Sequence, residues 1–142
     1  MASVKWSELY RWALVEVEFG IPKKDITDDL NCVDINSNYK FGINTNNEFS
    51  HRHMAIVLSK NIENSSVTVV PLTECKEGDL ENKSRVVLDH TKYKHFLYKD
   101  TSILIDNITT IEKKIRIKKI VLKWTPTPIR RQIQKAMIQS FK

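Results

Sequence analysis

HMAIVLSKNIENSSVTVVPLT, residues 53–73, decides the fold. Two apolar, β-branched runs, HMAIVLS (53–59) and SVTVVPLT (66–73), flank KNIENS (60–65), whose Asn and Ser residues favour a turn. Side chains branched at Cβ pack well on a pleated surface, so the stretch predicts an antiparallel hairpin. Pro71 has no N–H to give to a ladder and is expected at an edge or a bulge.

Upstream, Ala13, Val15, Val17 and Phe19 mostly alternate with other residues as far as Gly20, which predicts a half-buried strand. Before it, Trp6, Leu9 and Tyr10 lie three and four apart, as on one side of a short helix over residues 3–11. Residues 21–47 hold Pro22, several Asp and six Asn with little periodicity, and read as a long excursion with a short element near 39–43. Loops of that length often carry function.

Downstream, SRVVLD (84–89), TSILID (101–106) and the isoleucine-rich residues 115–121 predict three more strands. Thr127 as N-cap and Pro128 at the first helical position start a helix with Ile129, Ile133, Met137 and Phe141 on one face. Short strands with one terminal helix make a β-rich α+β chain, a small, strongly bent antiparallel sheet or barrel. Helices are too few to serve as the crossovers that a parallel sheet needs. The chain has 142 residues, the size of one domain, and 41% hydrophobic content, enough for a core. No apolar run approaches the roughly 20 residues that span a bilayer, and residues 1–9 lack a signal peptide's apolar stretch. Cytoplasmic residence is expected, with Cys32 and Cys75 as reduced thiols.

The formal charge of +6 conceals a split. Residues 1–112 hold 13 Lys/Arg and all 17 Asp/Glu, net −4, whereas residues 113–142 hold ten Lys/Arg and no acid, net +10. Such a segment suits a polyanion, although basic segments also face acidic proteins or only water.

Taken in order, several pieces resemble the MazF/PemK family of toxin endoribonucleases: WALVEVEFG (12–20), GINTNNEFSHRHMAIVLSKN (42–61), TVVPLT (68–73) and SILIDNITTIEKK (102–114). The family pattern is a strand ending in Phe-Gly, a Gly- and Glu-containing loop, an Arg-Pro-x-hydrophobic strand ending in Ser-Asn, and a Pro-Leu-Thr-Ser strand. The resemblance implies an SH3-like barrel, a homodimer, sequence-specific cleavage of single-stranded RNA without metal or cofactor, and neutralisation by a protein antitoxin. It makes residues 1–142 one domain with an insertion around 21–41. Where the family carries its catalytic Arg followed by Pro, this chain has His53 and Met54, with Arg52 one position earlier, and Thr109 replaces a second family Arg while Arg116 lies nearby.

Metal-free RNA cleavage needs a base for the 2′-hydroxyl, an acid for the departing oxygen, and donors for the charge on phosphorus. Histidine suits proton transfer near neutral pH, so His53 with Arg52 and Thr73 form the candidate catalytic set, Thr73 as a hydroxyl donor to phosphate. His51 and His53 share one face by period-2 spacing; such a pair is otherwise two surface histidines or, less often, two metal ligands, and nothing follows at a spacing that completes a metal site. Candidate RNA contacts are His51, Glu48, Lys60, Arg116 and the aromatic-basic cluster Lys92, Tyr93, Lys94 and His95, with Phe96 and Tyr98 beside it. Base stacking and backbone cations favour that composition, and a strand with its aromatics in the core has the same one. A non-catalytic module of the same fold that binds nucleic acid or protein is the alternative, and a gyrase-inhibiting toxin with the same barrel is a third.

Overall fold

The computed structural model describes residues 4–22, 43–44, 52–61 and 63–141. The hairpin is present as β4 (Arg52–Asn61) and β5 (Ser66–Glu74), paired antiparallel from Ala55↔Pro71 to Asn61↔Ser66. Its turn is held by asparagine carbonyls: Asn61 Oδ1 accepts from the Glu63 N–H at 3.0 Å, and Asn64 Oδ1 from the Ser66 N–H and hydroxyl at 3.1 and 2.6 Å.

Strand β1 (Leu14–Glu18) pairs with the outer edge of β4, and β9 (Ile117–Leu122) pairs with β1. On the other edge of β5 lie β7 (Thr101–Leu104) and β8 (Thr109–Glu112), joined by a 3-10 turn at Ile105–Asn107, and β6 (Arg85–Leu88) adds to β7. The order is β6-β7-β5-β4-β1-β9, with β8 also on β5. The expected antiparallel sheet is present with seven strands among the described residues; it is not closed, so it is a barrel only in a loose sense, with β6 and β9 at its ends. Strand β9 carries Lys118 and Lys119, and lysines on an edge strand deter further pairing. A separate parallel pair joins β2 (Ile21–Pro22) to β3 (Ile43–Asn44). The rest of the 21–41 insertion lies outside the described residues.

Both faces of the sheet are covered, so neighbouring residues of one strand serve different cores. Leu14, Ile56, Val70 and Leu72 pack with Ile129 and Ile133 of α2 (Thr127–Ser140), whereas Val15, Val17, Ala55, Val57 and Val69 pack with Val4 and Leu9. Each of these valine, leucine and isoleucine side chains contributes about 1.5–3 kcal/mol by leaving water. Double-sided burial explains why residues 55–58 form an unbroken apolar run instead of an alternating one.

Several boundaries differ from expectation. The N-terminal helix shrinks to a 3-10 turn at Trp6–Glu8, because Leu9 turns extended to enter the core while Tyr10 stacks on Trp124 at 4.9 Å. Trp12 takes the left-handed conformation (φ 73), which costs a non-glycine residue about 1–3 kcal/mol. Hydrogen bonds offset that: its N–H donates to the Val57 carbonyl at 2.6 Å, and its own carbonyl accepts the Thr125 N–H and hydroxyl at 2.8 and 2.6 Å. Helix α2 is capped by Pro126, so Thr127 is its first helical residue, and Phe141 ends it as an exposed residue. The strand expected over 115–121 begins at Ile117, after the single turn α1 (Lys113–Arg116). No helix among the described residues is long and apolar enough to cross a membrane.

Candidate functional site

Pro71 shapes the site. It lies in an interior strand, at the break on that strand's far side between the pairing with β8, which ends at Val69, and the pairing with β7, which starts at Leu72, and it is the last residue of β5 paired with β4. From Leu72 onward β5 is paired on its other side with β7, through Leu72↔Ile103, Thr73↔Ser102 and Glu74↔Thr101. Because proline offers no N–H, the β4–β5 ladder ends there, and the register carried two residues further sets His53 across from Thr73. Between the parted strands opens a cleft of about 300 Å³, lined by His53, Met54, Leu72, Thr73 and Glu74, with Leu97, Tyr98, Lys99 and Thr101. Two of the three expected catalytic residues, His53 and Thr73, therefore line one cleft.

Arg52 and His53 point apart, as adjacent residues of a strand do. The His53 ring lies 6.4 Å from that of Phe19, on the side of Ala55 and Val57. Arg52 turns to Glu16: its Nε is 3.1 Å from Oε1, while Lys119 Nζ is 3.6 Å from Oε2 of the same carboxylate. Arg52 is absent from the cleft lining but stays half exposed at 51%. Arg116 comes to the same end of the sheet, donating from Nη1 to the carbonyl of Glu18 at 3.2 Å, and Glu18 is the register partner of Arg52. Arg52, His53, Thr73 and Arg116 thus share one end of the sheet.

Other expected contacts sit elsewhere. Lys60 is eight residues along β4 from Arg52, about 26 Å at the rise of a strand. Its Nζ donates to the Trp6 carbonyl at 2.9 Å and lies 4.7 Å above the indole, so it serves the N-terminal turn and not the cleft. Residues 92–99 form turns instead of a strand. Lys92, Lys94 and His95 are exposed but line no part of the cleft; Tyr93 is half-buried 5.6 Å from Phe96, and His95 meets the Phe96 edge at 4.7 Å. His51 and Glu48 lie outside the described residues. Of the other polar and aromatic cleft residues, Tyr98 and Lys99 belong to the aromatic-basic run of residues 92–99 that the sequence displays, whereas Glu74 and Thr101 were missed. Proximity to Thr73 was the available signal for Glu74; for Thr101, only the β5–β7 register, Glu74↔Thr101, brings it in.

Beyond the end of β6, His90 Nδ1 and Asp100 Oδ1 are 2.6 Å apart, and the His90 N–H donates to the same oxygen at 3.1 Å. Those bonds hold the Asp100 carboxyl below its ordinary pKa. With Asp89, these residues offer three ligand atoms within 4.8 Å of one another.

The described C-terminal cations are spread over several parts of the fold. Arg116 and Lys119 reach β1, Lys123 sits 5.0 Å above the Tyr10 ring, Arg130 donates to Thr127 Oγ1 at 2.6 Å, and Arg131 and Lys135 are exposed on α2. Only the first of these groups adjoins the cleft end.

A family model described as PemK-like, MazF-like toxin of type II toxin-antitoxin system matches residues 39–141, well over half of the chain. No curated protein matches.

Proposed function

The chain belongs to the PemK-like, MazF-like toxins of type II toxin-antitoxin systems, and from that premise we propose that it is an endoribonuclease cutting single-stranded RNA at specific sequences, without a metal. In this reading it acts in the cytoplasm as a homodimer and is neutralised by a protein antitoxin. The observation that carries the proposal is the placement of His53 across from Thr73 on one open cleft.

The chemistry follows from those groups. His53 takes the proton of a ribose 2′-hydroxyl, whose oxygen attacks the adjacent phosphorus. The phosphorus–O5′ bond breaks, and the departing oxygen takes a proton from water at the open mouth of the cleft. The products are a 2′,3′-cyclic phosphate and a 5′-hydroxyl. Thr73 donates its hydroxyl to a non-bridging oxygen, a role that depends on fixed placement. Arg52 reaches the phosphate by leaving Glu16. Exposed ion pairs are worth about 0–1 kcal/mol, so that exchange costs little.

The test is incubation of the purified chain with single-stranded RNA and analysis of the product ends. Cyclic phosphate termini, lost in His53→Ala, support the proposal. The engagement of Arg52 by Glu16 favours a second reading, a module that binds RNA without cutting it; tight binding with intact RNA is the result that selects it.

A further inference from the structure

We propose that Tyr98 is the base-stacking residue of the cleft, receiving one unpaired nucleobase of single-stranded RNA; this rests on the cleft being the RNA site. Of the aromatic residues between 92 and 99, Phe96 and Tyr93 turn toward protein, and His95, although exposed, lies edge-on to Phe96 and lines no part of the cleft. Phe96 is 7% exposed, and Tyr93 and His95 pack against it. Tyr98 is 93% exposed, and it borders the same cleft as His53 and Thr73.

Its backbone is fixed on both sides. Before it, the N–H groups of Phe96 and Leu97 donate to the Tyr93 carbonyl at 3.1 and 2.9 Å, and Leu97 is buried to 3%. After it, Lys99 Nζ reaches Glu74 Oε1 at 3.7 Å across the cleft rim, and the Asp100 carbonyl accepts the Cys75 N–H at 2.9 Å. A ring held out in water on a pinned loop loses little backbone freedom when a flat partner arrives. Singly exposed aromatics are common on proteins. What distinguishes this one is its place: Tyr98 lines the same cleft as Lys99, Thr73 and His53. Stacking on an aromatic platform is the recurrent way to hold single-stranded RNA, because every base has a π-face.

The experiment measures affinity for a short single-stranded RNA with 2′-fluoro riboses, which cannot be cut, using wild type, Tyr98→Ala and Tyr98→Phe. An abasic nucleotide is then walked along the strand. Stacking worth ~1–3 kcal/mol predicts a loss of roughly 5- to 150-fold for Tyr98→Ala, and near-wild-type binding for Tyr98→Phe. One abasic position should weaken wild type by a similar factor and leave Tyr98→Ala unchanged. Equal binding by wild type and Tyr98→Ala, or a loss indifferent to every abasic position, overturns the stacking role while leaving the cleft as the RNA site. Absence of any RNA binding by wild type overturns both. A Tyr98→Ala defect seen only toward a protein partner assigns the ring to a protein interface and contradicts the proposal.

Discussion

Glu16 holds Arg52 with its Oε1 3.1 Å from the arginine Nε, and so restrains a cation that points to the opposite face of the sheet from its strand neighbour His53. The same carboxylate also engages Lys119. Glu16→Gln removes one negative charge and releases two cations. RNA affinity should rise a few-fold at low salt, with stability changed by no more than about 1 kcal/mol, since the pair is partly exposed. A binding titration checks this, and weaker binding would show that Glu16 positions Arg52 for RNA instead of competing with it.

RNA binding should weaken with salt, at about −0.7 in the log-log slope for each phosphate contact on a single strand. Arg116 sits at the cleft end, so Arg116→Gln should flatten the slope by about that amount. Lys135 borders a separate groove against β6, and Arg131 is exposed on the same helix, so Arg131→Gln with Lys135→Gln should leave the slope unchanged. An equal effect of both variants would mean that α2 also faces RNA.

Asp79 predicts part of the acid limb of stability. Its carboxylate accepts the Ser102 hydroxyl at 2.6 Å and the Lys76 N–H at 2.8 Å and faces Arg85, and these bonds, Ser102 first, hold its pKa below the ordinary 3.8. A depressed carboxyl pKa favours the folded state fully above that ordinary value, and the contribution disappears as pH falls below it through the folded pKa. The stability gap between wild type and Asp79→Asn should thus be constant from pH 7 to about 5 and shrink below about 4. Denaturant melts across that range give the answer; a gap that widens in acid would contradict the assignment.

How much of this was legible in the sequence depends on the range of the interaction. The β4–β5 hairpin was readable, because the β-branched runs and the Asn-rich turn are local signals. Helix α2 was readable to within a residue; Pro126 and Pro128 both flank its start, and composition alone does not choose between them. The cleft was only half readable. His53 stood out by residue type and by its place in the family resemblance, and Thr73 by the resemblance, but their sharing one cleft depends on the β4–β5 ladder ending at Pro71 while β5 pairs with β7 on its far side. The aromatic cluster was visible as a composition, and its division into inward Phe96 and outward Tyr98 is set by tertiary packing. The distance of Lys60 from the cleft was not readable, because the length of β4, which carries it to Trp6, is not a property of the residue itself.

Cleavage should persist in EDTA, since the proposed chemistry uses His53, Thr73 and Arg52 alone. The Asp89, His90 and Asp100 group gives this measurement a second use. Complete loss of cleavage in chelator, restored by a divalent ion and abolished by His90→Ala, would move the chemistry to that group and contradict the metal-free mechanism.

The most direct test of the central claim is the single-turnover cleavage rate of His53→Ala, set beside Arg52→Ala and followed with pH. A positioned acid or base contributes about 10²–10⁴ in rate, so His53→Ala should lose that much with RNA affinity little changed. The wild-type rate should show an inflection within a unit or two of an imidazole's ordinary ~6.5, because an arginine stays protonated throughout that range. Arg52→Ala should lower both rate and affinity, since a cation at phosphate acts in ground and transition states alike. Near-normal cleavage by His53→Ala, alongside an inactive Arg52→Ala and a rate flat across neutral pH, would contradict the account and assign the chemistry to Arg52.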